Sequence, residues 1–123
     1  MAIFGLGIDL IEVGRIKNAI SRFSDRFKNR VFSPEEQEFC ESRANKYLAY
    51  AARFAAKEAF SKALGTGLRG KILWREIVVI DNEKAPPHLE VRGKAKEILK
   101  NRQVFLSLTH TTNYAAAVVI IEE

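Results

Sequence analysis

Residues 46 to 64 constrain the fold more than any other stretch of the chain. Leu48, Ala49, Ala52, Ala55, Ala56, Ala59, Phe60 and Ala63 recur with helical periodicity and share one broad face. Most of that face is alanine, so a neighbouring backbone can approach closely. The opposite face carries Arg53, Lys57, Glu58, Ser61 and Lys62, which by themselves describe a solvated charged surface. Glu58 and Lys62 stand four apart with the acid first, the favourable order. Gly65 is suited to stop the helix in a left-handed conformation, and Thr66 and Gly67 extend the stop into a loop.

The N-terminal segment offers a matching surface. Phe4, Leu6, Ile8 and Leu10 alternate with Ile3, Gly5, Gly7 and Asp9, which predicts a strand over residues 2 to 11. Gly5 and Gly7 leave room on the face that Asp9 shares. An acid on a small, apolar strand face needs a partner, a proton or a metal; the alternative is a helix cap or turn acid.

The remaining pattern predicts a basic helix over 13 to 29. A capping box, Ser33-Pro34-Glu35-Glu36, opens a helix to about Arg43. Residues 65 to 72 form a glycine-rich basic loop, 73 to 81 a strand, 82 to 87 a turn, 88 to 91 a short strand and 94 to 101 a short helix. Residues 104 to 109 and 114 to 121 are strands joined as a hairpin around His110-Thr111-Thr112-Asn113. The last strand is apolar on both faces, so it belongs at the centre of a sheet or under a subunit interface. This order predicts an α+β fold over one domain, residues 1 to 123.

Charge is uneven. Residues 15 to 30 hold Arg15, Lys17, Arg22, Arg26, Lys28 and Arg30 against Asp25 alone, so the whole net charge of +5 sits in this window. A local patch of this kind suits an acidic partner, either nucleic acid or an acidic protein, or simply faces solvent. Ile16, Ile20, Phe23 and Phe27 make the same segment amphipathic. The single cysteine, Cys40, has no internal disulfide partner and is expected to be structural. The longest apolar run, Tyr114 to Ile121, is too short to span a membrane, and the first apolar segment contains Asp9 without a basic leader. A cytoplasmic protein without a membrane partner is expected.

Asp9 and Glu58 sit on elements able to pack together. Two hard oxygen donors, with the other positions left to water and phosphate, suit Mg²⁺. Arg53, Lys57 and Lys62 are candidates to neutralise phosphate. His110, at a strand end, is a candidate phosphate contact or a satisfied turn histidine.

Three blocks carry a family resemblance: Gly7-Ile8-Asp9 followed by Arg15; Arg53-Phe54-Ala55-Ala56-Lys57-Glu58-Ala59-Phe60-Ser61-Lys62-Ala63-Leu64-Gly65-Thr66-Gly67; and Ser107-Leu108-Thr109-His110. In order and spacing the chain resembles the short bacterial holo-acyl-carrier-protein synthases, which are 4′-phosphopantetheinyl transferases. It departs from them at Glu83-Lys84-Ala85-Pro86-Pro87, where the family has a Gly-Lys-Pro-like turn.

The resemblance implies the 4′-phosphopantetheinyl transferase fold, a small, mainly antiparallel sheet packed by helices and assembled as a trimer with sites between subunits. It implies transfer of phosphopantetheine from coenzyme A to a serine of apo acyl carrier protein, in support of fatty acid biosynthesis. Asp9 and Glu58 would hold Mg²⁺, and with Lys62 they form the catalytic set. Arg53, Phe54, Lys62, Gly65, Thr66, Pro86, His110 and Thr111 would bind coenzyme A. Arg15, Arg22 and Arg26 would dock the acidic carrier protein. A metal-bound water or Glu58 would take the serine proton. The rival readings are a basic nucleic-acid-binding module, which leaves Asp9, Glu58 and the glycine loop unexplained, a non-catalytic carrier-protein scaffold, and a different Mg²⁺-dependent nucleotide transferase.

Overall fold

The computed structural model describes residues 2–65 and 72–123. Strand β1 (Ile3–Glu12) leads into helices α1 (Val13–Phe23), α2 (Asp25–Val31), α3 (Pro34–Glu41) and α4 (Lys46–Leu64). A short 3₁₀ turn (Trp74–Glu76) precedes β2 (Ile77–Ile80), β3 (His88–Val91), α5 (Gly93–Leu99), β4 (Gln103–His110) and β5 (Tyr114–Glu122). The main sheet is antiparallel in the order β1-β5-β4, and β2 and β3 form a separate antiparallel pair. The α+β expectation holds. Among the described residues no helix is long and apolar enough to cross a membrane.

Helix α4 lies across one face of the main sheet. Ala115, Ala117, Val119 and Ile121 of β5 are buried beneath it, as are Ala55, Ala56, Ala59 and Phe60 of the helix. The glycines of β1 set the closeness of this contact. A Cβ on Gly5 would lie 1.8 Å from the Ala63 carbonyl oxygen, and one on Gly7 would lie 1.9 Å from that of Ala59. Two residues along β1 therefore match four along α4, running in opposite directions, so Asp9 faces the next turn towards the helix N-terminus.

β5 is central, as its two apolar faces require. Its second face, with Ala116, Val118 and Ile120, carries no helix among the described residues and is only half-buried. Beside it Leu6, Ile8 and Leu10 of β1 and Phe105 of β4 are exposed.

Helix termini follow local chemistry. The Ser33 hydroxyl accepts from Glu36 N–H while the Glu36 carboxylate accepts from Ser33 N–H, closing the capping box. Gly65 ends α4 at φ +87°, its N–H donating to the Ser61 carbonyl. The helix expected over 13 to 29 is two helices. Ser24 takes φ +50° and its N–H closes on the Ile20 carbonyl, which ends α1. The break turns Phe23 out to solvent while Phe27 packs edge-on to Phe32 and stacks on Phe54. The strand expected from residue 73 begins only at Ile77, because the Glu76 carboxylate accepts from Leu73 N–H and winds residues 74–76 into a turn. The expected loop residues Thr66 to Lys71 lie outside the described residues.

Candidate active site

Helix α4 separates two clefts. Successive residues on a helix point about 100° apart, so Arg53 lines one cleft and Phe54 the other.

The first cleft, of 360 Å³, is lined by Asp9, Leu10, Ile11, Arg15, Phe54 and Glu58 among others. The two carboxylates predicted to act together thus share one wall-to-wall space. Lys62 Nζ reaches the Asp9 carboxylate at 3.3 Å and the Ile8 carbonyl at 3.0 Å. Burial pushes the Asp9 carboxyl above its ordinary value, against the opposing pull of Lys62 and Arg15. Phe54 forms the apolar side, stacked on Trp74 at 4.8 Å between ring centroids. Among the described residues no third His, Cys, Asp or Glu joins Asp9 and Glu58. Two hard oxygen donors beside an exposed ammonium fit a cation that shares its coordination with water and an anionic ligand, which is the habit of Mg²⁺.

The second cleft, of 520 Å³, is lined by Phe39, Arg43, Ala49, Ala52, Arg53, Asp81, Pro87, Thr109 and His110 among others. Arg53 is only 4% exposed. Its Nη1 donates to the Ala49 carbonyl at 3.3 Å, and its guanidinium stacks over Phe39 at 4.2 Å. Its Nε and Nη2 have no hydrogen-bond partner among the described residues, and Asp81 lies 3.7 Å from Nη2. A guanidinium at the cleft wall whose hydrogen bonds are not filled, and whose ion pair with Asp81 is long, is suited to take an anion in place of that carboxylate. Arg43 pairs with Glu83 at the rim.

The predicted residues therefore divide. Asp9, Glu58, Phe54 and Arg15 meet in one cleft; Arg53 and His110 meet in the other. Lys62 reaches the first through Asp9, and Gly65 caps the helix beyond it. Pro86 lies in the β2–β3 turn, but Pro87 forms the cleft wall. The Thr111 hydroxyl accepts from Tyr114 N–H in the hairpin turn. Arg22 and Arg26 are exposed on α1 and α2 and line neither cleft. Thr66 lies outside the described residues.

Lys57 departs from the sequence expectation. It is fully buried, and its Nζ donates to Glu36 Oε1 at 2.7 Å and to the carbonyls of Trp74 and Ile77. Burial pulls its pKa down, and the Glu36 carboxylate pulls it back. It is therefore not a phosphate contact. The helical wheel assigned it to the charged face because the wheel knows nothing of β2 and α3, which cover that side. Phe39, Arg43 and Asp81 were also missed; each is ordinary in sequence and is recruited to the second cleft by tertiary packing alone.

A family model described as the 4′-phosphopantetheinyl transferase superfamily matches residues 5–119. The chain is 45% identical to the holo-[acyl-carrier-protein] synthase of Koribacter versatilis over 98% of its own length and 99% of the relative's. It is 42% identical to that of Chlamydia muridarum over 97% and 94%. Among solved structures it is similar to the Neisseria meningitidis enzyme at TM-score 0.91 and 30% identity, covering 99% of this chain and 100% of that one. It is likewise similar to the Helicobacter pylori enzyme in complex with coenzyme A, at TM-score 0.83 and 29% identity over 95% and 99%. With the family's motif residues lining the two clefts beside α4, the chain belongs to the holo-[acyl-carrier-protein] synthases, enzymes of the 4′-phosphopantetheinyl transferase superfamily.

Proposed function

We propose that the protein, acting as one domain over residues 1–123, transfers 4′-phosphopantetheine from coenzyme A to a serine of apo acyl carrier protein. The products are holo carrier protein, for use in fatty acid synthesis, and 3′,5′-adenosine bisphosphate. The observation that carries this reading is Arg53, a buried guanidinium in one cleft whose Nε and Nη2 make no hydrogen bond among the described residues and which has Asp81 3.7 Å from Nη2, set one helix residue away from the cleft that holds Asp9 and Glu58. A donor whose ribose carries a 3′-phosphate as well as the reactive pyrophosphate calls for two anion sites. The coenzyme A complexes of similar structures support the same donor.

The residues divide the work. Arg53 and His110 bind the adenosine-phosphate end, and Pro86 and Thr111, in the adjoining turns, are further contacts. Lys62 neutralises the pyrophosphate, Gly65, without a Cβ, lets backbone approach it, and Thr66 is a further contact. Phe54 shields the pantetheine side. Asp9 and Glu58 hold Mg²⁺, which when bound stabilises charge on the phosphoryl oxygens. The serine oxygen forms the new bond to phosphorus as the bond to the bridging oxygen breaks, in line. Its proton passes to Glu58 or to water in the cleft.

Arg15, Arg22 and Arg26 dock the acidic carrier protein rather than nucleic acid. Arg15 lines the Asp9 cleft, which supports docking that delivers the serine there. The uncovered apolar face of the main sheet supports a homotrimer with sites between subunits. The cytoplasm, where coenzyme A and carrier proteins meet, is the proposed location.

Incubation with coenzyme A, Mg²⁺ and an apo carrier protein, read by intact mass, tests this. A phosphopantetheine-sized gain is expected, abolished by EDTA and by Asp9→Ala or Glu58→Ala. Arg53→Ala is expected to raise the coenzyme A KM by about 10-fold or more. No gain from folded protein across several apo carriers would sink the proposal and favour the scaffold reading.

A further inference from the structure

Lys57 and Glu36 form a buried ionic junction that the proposed chemistry does not use. The Lys57 ammonium spends its three donors on Glu36 Oε1, the Trp74 carbonyl and the Ile77 carbonyl. Glu36 in turn accepts from Ser33 N–H at 2.9 Å and from Val79 N–H at 2.8 Å. One charge pair therefore ties α4 to the start of α3, to the 3₁₀ turn and to β2. Neither residue touches either cleft.

The neighbours of Lys57 lead to the cleft, one directly and one through Phe54. Glu58 is the next residue on α4. Trp74, whose carbonyl Lys57 holds at 3.1 Å, stacks on Phe54, the apolar wall opposite Asp9. Side-chain ends lie roughly 6 Å from a helix axis, so rotating α4 by about 10° moves the Glu58 carboxylate by about 1 Å. Mg²⁺ demands near-ideal octahedral geometry, and shifts of this size are costly at such sites. The glycine contacts on β1 set how closely α4 lies on the sheet, and the Lys57 junction ties the helix to α3, the 3₁₀ turn and β2.

We propose that Lys57 is a positioning residue for the Asp9–Glu58 site, acting through the rotation of α4 and through Trp74 without touching substrate. The proposal rests on the reading that Asp9 and Glu58 hold the metal. Two variants test it: Lys57→Met, which keeps the shape but removes the donors, and Glu36→Gln, a milder change that keeps an acceptor. Mn²⁺ binding is measured directly by paramagnetic resonance without substrates, and Trp74, the only tryptophan, reports by its emission.

The expected result is a Mn²⁺ dissociation constant raised by about 10-fold and kcat lowered by about 10- to 100-fold. Arg53, four residues before Lys57 on the same helix, moves with it, so the coenzyme A KM rises as well, and Trp74 emission shifts in the unliganded protein. Folded variants with wild-type Mn²⁺ binding and kcat overturn the proposal. So does a Lys57→Met protein that fails to fold beside a Glu36→Gln protein with wild-type Mn²⁺ binding and kcat, since the junction then serves stability alone. A wild-type protein that itself neither binds Mn²⁺ nor transfers phosphopantetheine defeats the underlying site reading instead, which separates the two failures.

Discussion

At the scale of single residues, Gly7 shows how little room the site leaves. Gly7 sits where any Cβ would meet the Ala59 carbonyl at 1.9 Å, and backbone on both sides cannot yield without separating β1 from α4. Gly7→Ala is therefore expected to cost about 2 kcal/mol or more by overpacking, measured by urea unfolding, and to weaken metal binding by moving Asp9 away from Glu58. Cys40 is the opposite case, a residue with chemistry but no use for it. It is fully buried, and burial pushes its thiol up to about 12. The folded protein is expected to resist iodoacetamide at mildly alkaline pH and to react fully in denaturant, as followed by mass.

At the scale of elements, Glu41 joins three helices. Its carboxylate accepts from Lys28 of α2 at 2.8 Å, from the Tyr50 hydroxyl of α4 at 2.7 Å and from Lys46 at 3.3 Å. Hydrogen bonds from Lys28 and Tyr50 hold its pKa at about 2, below the ordinary 4.5. A folded pKa depressed in this way means that the unfolded chain binds the proton more tightly. The junction therefore stabilises the fold above the unfolded value and loses its contribution as pH falls from 4.5 towards about 2. Wild type is expected to be more stable than Glu41→Gln near neutral pH, with the difference shrinking through that window, as measured by urea midpoints at successive pH values. The same bonds hold α2 and α3 against the N-terminal half of α4, the half that carries Arg53.

At the scale of the whole molecule, the main sheet has one face under α4 and one face that no described helix covers. Ile8 is 66% exposed in the middle of that second face, between Leu6 and Leu10 and opposite Val118. Covering an apolar patch of this kind is what drives self-association. Sedimentation is expected to show an assembly of three times the 13.9 kDa chain mass. Ile8→Asp is expected to yield monomer and to lose transfer activity, although its side chain faces away from Asp9. A fully active Ile8→Asp monomer would argue that each chain holds a complete site.

Much of this protein was legible in its residues. The alternation around Gly5 and Gly7, the alanine face of α4, the Ser33 capping box and the Gly65 stop each encode a local geometry that needs no distant information. The approach of Asp9 to Glu58 followed from two surfaces without bulky side chains. Tertiary structure decided what local patterns cannot carry. The periodicity of Ile16, Ile20, Phe23 and Phe27 ran through Ser24, yet the chain turns there because Phe27 gains Phe32 and Phe54 as neighbours. Lys57 and Lys62 look alike on a helical wheel, but β2 and α3 close over one and solvent reaches the other. A helix determines which way its side chains point; only the elements packed around it determine whether a charge meets water, an ion or a buried carboxylate.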